Sequence, residues 1–260
     1  MNYASIKLKI KDTIAEIVLN RPEKKNALND ILIKELTDVF LYCSKNQNIR
    51  VIILTGEGDA FCSGADLEYL QNISNFSLEE NKEDSNKLLR LYSVIYETKK
   101  PTIAMVNGPA LAGGCGLATV CDFILASKEF SKFGYPEVKI GFIPAIVMVF
   151  LIKRVGEGIT KDLVLTGKII NATEAKSINL INDCVEHDKL YDFTYQFAEK
   201  LIMGNSPLAM GLCKDMIINF GNLYFKQALE YAANMNAVAR MTEDCKKGIK
   251  AFLEKQKIKW

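Results

Sequence analysis

Pro101-Thr-Ile-Ala-Met-Val-Asn-Gly-Pro-Ala-Leu-Ala-Gly-Gly-Cys-Gly-Leu-Ala-Thr-Val120 reads as strand, glycine turn and helix in a single run. Ile103 to Val106 is continuously apolar, the pattern of a strand buried on both faces. Pro101 is acceptable at the first position of such a strand. Asn107-Gly108-Pro109 turns the chain, and Ala112-Gly113-Gly114 opens a helix that runs to Val120. The same order occurs one unit earlier. Val51-Ile-Ile-Leu54 is a buried strand closed by Gly56-Glu57-Gly58, and Phe61-Cys-Ser-Gly-Ala-Asp-Leu67 leads into a helix starting near Asp66.

The rest of the chain extends this alternation. Ile6 to Ile10 alternates with period 2, and Ile14 to Leu19 follows a Lys11-Asp12 turn, so the two form a hairpin. Pro22 stops the second strand and opens the polar loop Arg21 to Lys25. Leu28, Leu32, Leu36, Val39, Phe40 and Cys43 recur at helical spacing, with Asn29 as N-cap. A charged helix spans Leu78 to Thr98, Phe123 to Ala126 is the next strand, and Leu180 to Val185 is a lone late one. From Ile143 onward the pattern is mainly helical, broken at Gly156-Glu157-Gly158, Thr173-Glu174, Asn205-Ser206-Pro207 and Thr242-Glu243. The expected class is α/β, with a core over residues 1–190 and a helical region over 191–260. That region is too apolar to be solvated alone and should pack on the core or on another subunit.

Composition narrows the function. The chain has 260 residues, 33 Lys+Arg against 31 Asp+Glu, and one His. A net charge of +2 gives no electrostatic reason to bind nucleic acid or anionic lipid. A zinc site with several His ligands cannot be built, and His187 reads as a surface residue in the turn after a strand. The 7 Cys are odd in number and irregular in spacing, and six lie in apolar contexts, as buried reduced thiols would. The start lacks an apolar signal core, and the longest apolar run, Ile140 to Ile152, is broken by Pro144 and too short for a bilayer. The expectation is a soluble, cytoplasmic protein with no membrane partner.

Three places could carry chemistry. The turns Phe61 to Leu67 and Gly108 to Gly116 each join a strand to a helix. Glycine lets such backbone approach a ligand closely, and a helix N-terminus offers unpaired N–H donors. Two of these aimed at one carbonyl oxygen would stabilise an enolate; tight structural turns are the plainer reading. Neither turn matches GxGxxG or GxxxxGK[ST], so a phosphate cradle has no support. The third place is Phe133-Gly-Tyr-Pro-Glu137. A carboxylate at Glu137, among apolar neighbours, should have its pKa raised above about 4.3, which suits proton transfer. An exposed Glu137, or one paired with Lys139, is the alternative.

These segments together resemble the crotonase (enoyl-CoA hydratase/isomerase) superfamily. The resemblance runs from Leu19-Asn-Arg-Pro-Glu-Lys-Lys-Asn-Ala-Leu28 through Ser63 to Leu67, Lys100 to Gly108 and Ala112 to Ala118. It continues through Cys121-Asp122, Phe133 to Glu137 and Leu165-Thr-Gly167 to Lys247-Gly-Ile-Lys-Ala-Phe-Leu253. It implies a right-handed spiral of ββα units with C-terminal helices that build a homotrimer or a dimer of trimers. It implies an acyl-CoA thioester substrate and neither metal nor prosthetic group. By position, Ala65 and Gly113 would donate backbone N–H groups to the thioester oxygen, and Glu137 would be the acid/base. The Lys24 to Ala27 region, with Lys25 and Ala27, and the loop at Asp66 and Leu67 would bind the CoA.

Two departures matter. Hydratases of the family usually have a second catalytic glutamate where this chain has Gly116. One carboxylate suffices to move a proton between two carbons, which is isomerase chemistry, whereas hydration must also hold a water. The acidic cluster Glu79, Glu80, Glu83 and Asp84 is a possible second source, though a solvated helix face is the plainer reading. At Pro144-Ala-Ile-Val-Met-Val149 bulky apolar residues replace a glycine-rich turn and reshape the acyl pocket. Gly116, the run Glu137 to Ala145 and terminal Trp260 look most like bacterial 3-methylglutaconyl-CoA hydratases of leucine degradation, and like dehydratases of a hydroxymethylglutaryl thioester on a carrier protein. A substrate with a distal carboxylate would need a cation, for which Lys139, Lys153 and Arg154 are candidates. The expected activity is therefore reversible hydration of 3-methylglutaconyl-CoA. A Δ3,Δ2-enoyl-CoA isomerase is the rival, and a non-catalytic acyl-CoA or RNA-binding member is the alternative from another class, with no Lys/Arg block to favour RNA.

Overall fold

The computed structural model describes residues 3–73, 75–258 and 260, the side chains of Leu67 and Ile73 excepted. Its main sheet holds β1 (Ile6–Lys11), β2 (Ile14–Leu19), β3 (Val51–Gly56), β4 (Thr102–Val106), β6 (Phe123–Ser127) and β9 (Asp183–Val185), in the order β1-β2-β3-β4-β6-β9. β1 and β2 form the expected hairpin, Ile6 opposite Leu19 and Lys11 opposite Ile14. Every later pairing in this sheet is parallel.

The continuous apolar runs are explained by two covered faces. From β3, Ile52 and Leu54 enter the larger core with Leu32, Leu36 and Phe40 of α1 (Asp30–Lys45). Val51 and Ile53 point the other way, against Leu190, Tyr195 and Ala198 of α7 (Leu190–Gly204). β2 is buried throughout and even covers Glu16, whose carboxylate accepts from Lys9 Nζ at 3.1 Å and Tyr195 Oη at 2.5 Å. Asn29 caps α1 as expected, accepting from the Leu32 N–H at 2.9 Å.

A second sheet was not expected from the sequence. β5 (Ala110–Leu111) pairs parallel with β7 (Lys132–Gly134), which pairs antiparallel with β8 (Ile169–Asn171). These strands of two or three residues are too short to show periodicity. Two of them supply the second strand of a ββα unit. β4 leads through β5 into α4 (Gly113–Val120), and β6 leads through β7 into α5 (Ala145–Thr166). Parallel strands put their C-terminal ends on one edge, so the turns after β2, β3 and β4 converge there, and β7, parallel to β5 with Gly134 opposite Leu111, ends beside the Gly113 turn.

The other helices are α2 (Leu67–Ile73), α3 (Leu78–Glu97), α6 (Ala172–Ser177), α8 (Pro207–Phe220), α9 (Phe225–Met241) and α10 (Glu243–Leu253). The stop expected at Gly156 is a kink inside α5, where Gly156 takes φ +77°. The late strand is shorter than the sequence suggested and pairs with β6 instead of standing alone. Two expectations about polar residues also meet the structure here. His187 is exposed, edge-on to Phe130. Of the cysteines, all free, Cys43, Cys62, Cys115 and Cys121 are buried, but Cys184 and Cys245 are half-buried and Cys213 is exposed. Cys213 lies on a helix that faces a cavity and not packed core. No helix among the described residues is long and apolar enough to cross a membrane.

Candidate active site

The site is built from three turns at the C-terminal edge of the main sheet. The first, after β2, is held by Asn26, which is fully buried. Its Nδ2 donates to the carbonyls of Glu57 (2.9 Å) and Ala60 (2.8 Å), and its Oδ1 accepts from the Arg21 N–H at 2.9 Å. Lys25 and Asn26 adopt φ of +50° and +55° to make this turn. Lys25 is exposed at the rim and Ala27 is buried.

The second turn carries Ala65. Leu28 donates to the Gly64 carbonyl at 2.7 Å and accepts from the Asp66 N–H at 2.9 Å, which leaves the Ala65 N–H between them without a partner among the described residues. Asp66 is buried and paired with Arg21, whose guanidinium lies 2.8 Å from Oδ2 and 2.5 Å from the Ala27 carbonyl. Burial works to raise the Asp66 pKa, but the Arg21 bond, the Glu68 N–H and the Arg21 charge outweigh it and hold the carboxyl low. Leu67 begins α2; its side chain lies outside the described ones.

The third turn presents Gly113, the first residue of α4. Ala112 before it takes φ +50°, ψ −128°, a region costly for any residue with a Cβ. The bond from the Ala112 N–H to the Gly134 carbonyl, 2.9 Å, fixes this strained residue, and the Gly113 N–H has no partner among the described residues. The second and third turns touch: a Cβ on Gly64 would lie 3.7 Å from the Gly113 nitrogen. Gly114 is obligatory, since a Cβ there would sit 2.0 Å from the Cys62 carbonyl oxygen. Two free amides are thus held side by side by rigid backbone, one at a helix N-terminus.

Glu137 arrives on the turn after β7, in the 3-10 segment Pro136–Ile140. It is 8% exposed, and its Oε2 is buried with no hydrogen-bond partner. Burial raises its pKa. The exposed or Lys139-paired alternative therefore does not hold; Lys139 is exposed. A buried, unpartnered carboxylate is costly and is found where a proton is to be moved. The thiols nearby are inert, because burial pushes Cys62 up to about 12 and Cys115 up to about 11.

Gly116, where a second carboxylate was sought, is buried and closed. A Cβ on it would lie 2.2 Å from Val147 Cγ1, 2.8 Å from Val147 Cβ and 3.1 Å from Tyr92 Oη. Pro144, buried, precedes the helix that brings Val147 in. The acidic cluster supplies no replacement: Glu79, Glu80 and Glu83 are exposed, and half-buried Asp84 feels Asp30 and Lys87 and not Glu137. Of the candidate cations, Arg154 is consumed by the carbonyls of Leu180 (2.6 Å) and Cys121 (2.9 Å) and by Asn182 Oδ1 (3.0 Å). Lys153 is exposed, 5.9 Å above the Tyr96 ring.

Sequence reasoning passed over Arg21 and Tyr92, and it flagged Val147 only within the bulky run Pro144 to Val149. Tyr92 is fully buried on α3 and donates to the Gly113 carbonyl at 2.7 Å. Its spacing with Leu88, Leu91 and Ile95 reads only as core. Nothing in the sequence separates it from its neighbours.

Comparison with known proteins agrees with this geometry. The sequence matches the enoyl-CoA hydratase/isomerase family over residues 9–260. A Thermus thermophilus relative, provisionally named an enoyl-CoA hydratase, is 39% identical over 246 residues, covering 95% of this chain and 96% of its own. The crotonyl-CoA hydratase of Syntrophomonas wolfei is 35% identical over 259 residues, covering 99% and 98%. The crystal structure of an enoyl-CoA hydratase from Shewanella pealeana superposes with a TM-score of 0.93 at 28% identity, covering 99% and 96% of the two chains. With its ββα spiral, two free amides and a buried Glu137, the chain belongs to the enoyl-CoA hydratase/isomerase family, the crotonase superfamily, and is an enzyme acting on acyl-CoA thioesters.

Proposed function

We propose that this enzyme reversibly adds water to a 2-enoyl-CoA, with Ala65 and Gly113 holding the thioester oxygen and Glu137 moving the proton. The buried, unpartnered Oε2 of Glu137 carries this reading. The oxygen of a water bonds to C3 while Glu137 takes one of its protons. The C2=C3 π pair moves toward the thioester, and the resulting enolate oxygen is held by the two amides. Glu137 then returns the proton to C2, so the hydroxythioester contains every atom of the water. Losing one amide donor from such a hole typically costs about 10²–10³ in rate.

3-Methylglutaconyl-CoA is the first substrate to try, on the likeness of Gly116, the Glu137–Ala145 run and Trp260 to hydratases of that thioester. A hydroxymethylglutaryl thioester on a carrier protein follows for the same reason. Both have a distal carboxylate; Arg154 is engaged by backbone carbonyls and Asn182, and Lys139 and Lys153 are exposed, so crotonyl-CoA, with its uncharged acyl group, is tested beside them. A second reading is Δ3,Δ2-enoyl-CoA isomerisation, favoured by the closure at Gly116. There Glu137 removes a proton from C2 of a 3-enoyl thioester and delivers it to C4. We also propose that the enzyme is cytoplasmic and assembles as a homotrimer or dimer of trimers, supported by the uncovered apolar faces of α9 and α10. The chemistry as written calls for no metal or prosthetic group.

The test is an ultraviolet assay of the conjugated enoyl thioester with 3-methylglutaconyl-CoA, crotonyl-CoA and a 3-enoyl-CoA. Loss of absorbance with a hydroxylated product by mass establishes hydration. Gain of absorbance from the 3-enoyl-CoA without hydration replaces it with isomerisation. Binding without turnover across the panel removes both and leaves a non-catalytic acyl-CoA binder.

A further inference from the structure

Behind the Gly113 turn, Gly116, Val147 and Tyr92 pack against one another as a wall that offers few hydrogen-bonding groups. Val147 is 3% exposed and Tyr92 fully buried. The one hydroxyl on the wall is engaged, since Tyr92 Oη donates to the Gly113 carbonyl at 2.7 Å. The wall is also rigid. A Cβ on Gly116 would meet not only the Val147 γ-methyl but its Cβ, at 2.8 Å, so no rotamer of Val147 makes room and α4 and α5 would have to separate. Tyr92 lies near enough to Glu137 to feel its charge.

We propose that Val147 is the specificity-determining residue of this site, setting the balance between water addition and proton migration by keeping hydrogen-bonding side chains away from positions 116 and 147. The proposal rests on the enoyl-CoA reading above. A water poised to attack is oriented better by two partners than by one, and Glu137 supplies one. A proton carried from C2 to C4 of the same acyl chain needs Glu137 alone. Val147 withholds the second partner twice over: its own side chain has none to give, and it forbids any side chain at position 116 that could give one.

Val147→Thr tests this with little change of volume, placing a hydroxyl where a γ-methyl stands. The hydration rate with crotonyl-CoA is divided by the isomerisation rate with a 3-enoyl-CoA. One new hydrogen bond to the water is expected to raise that ratio about tenfold. Binding of acetoacetyl-CoA, followed by its enolate absorbance, reports the amide pair and should stay close to wild type. An unchanged ratio in a variant that still binds the enolate overturns the proposal. A steric arm decides the matter if V147T does not fold. Gly116→Ala should lose about tenfold or more in whichever reaction the wild type runs faster, and Gly116→Ala with Val147→Gly should recover most of it. A G116A enzyme as active as wild type, or a double variant that folds yet recovers nothing, overturns the proposal. A wild type that neither binds acetoacetyl-CoA as its enolate nor turns over either thioester overturns the enoyl-CoA reading, and this one with it.

Discussion

The strand ends that carry the site and the C-terminal helices differ in how tightly they are closed. Around Gly108 and Gly114 there is no room for one methyl group; an added Cβ would lie 2.0 Å from a carbonyl oxygen in each case. Between α8, α10 and the starts of β4 and β6 there is instead a cavity of about 870 Å³, lined by Pro101, Phe123, Met210 and Ile249 among others. α1 buries seven residues, whereas α9 and α10 bury none and leave Tyr224, Phe225 and Phe252 more than 80% exposed. Amides that must meet a developing oxyanion need fixed positions, and only close-packed backbone provides them. The tail carries apolar surface that the rest of the chain does not cover.

Removing the acid/base should produce the largest effect and leave the rest of the rigid end intact. Glu137→Gln is expected to lower turnover by about 10²–10⁴ while acetoacetyl-CoA still binds. The same variant should be more stable than wild type at pH 7. Burial raises the Glu137 pKa above the ordinary 4.5. The folded state thus favours the neutral acid, a contribution fully present below the unfolded pKa and lost as pH rises through the folded one. Thermal melts should show the advantage of E137Q at neutral pH and its disappearance near pH 4. The kcat/KM profile, which needs the carboxylate as base, should rise with pH through the same raised pKa. Equal melting temperatures at both pH values would mean the carboxylate is solvated and the site is not as described.

Packing is the next contrast. Leu36→Ala, at a fully buried position, is expected to cost about 2–5 kcal/mol in chemical denaturation. Leu253→Ala, 74% exposed, should cost the isolated chain about 0.5 kcal/mol or less. A large cost for L253A that grows with protein concentration would show the tail to be buried by association. Arg21→Met falls between in character, because it strands a buried charge. Arg21 and Asp66 are 15% and 5% exposed, and removing one partner of such a pair costs about 3 kcal/mol. Asp66 is held below its ordinary 3.8, so the pair's contribution is present above that value and lost as pH falls through the depressed pKa. The stability gap between R21M and wild type should therefore narrow in acid. A gap that is constant with pH would assign the loss to packing of the Arg21 stem.

The rigid end was the more legible in sequence. Thr102 to Val106 could only be a strand covered on both faces, and Gly113-Gly114 after it could only be a turn where backbone comes close. Glu137 was visible as a carboxylate in apolar company. Its burial was not, because burial depends on β7 pairing with β5 and β8, strands too short to carry a period. Tyr92 was invisible for a different reason: it is a core residue by every local measure, and its importance comes from what lies across the helix interface, as does the choice of Val147 from the bulky run Pro144 to Val149. Arg21 sat in a stretch that read as polar loop, while its partner Asp66 is 45 residues away. The cysteines show the reverse error: six were read as lying in apolar contexts, and only four are buried.

The smallest expected effect tests how the tail is tied to the sheet. Arg50, just before β3, donates from one nitrogen to the carbonyl of Trp260 at 2.8 Å and from another to the carbonyl of Asn205 at 3.1 Å. Trp260 in turn lies over α10, where a Cβ on Gly248 would touch its ring at 3.3 Å. One side chain thus links the strand start, the α7–α8 junction and the chain end, beside the cavity. Burial lowers the Arg50 pKa, with the Asp244 charge opposing, but the group stays cationic throughout the working range. Arg50→Met keeps most of the aliphatic stem and removes both bonds. Two hydrogen bonds from a charged donor to carbonyls at a half-exposed site contribute about 1–2 kcal/mol together. That loss should appear locally as faster amide hydrogen exchange in α10, over Glu243–Leu253, while the amides of β3 and β4 keep their protection. Uniform acceleration across sheet and tail would mean the two regions open as one unit. The contrast between a rigid site and a loosely held tail would then lie in their surfaces alone and not in their stability.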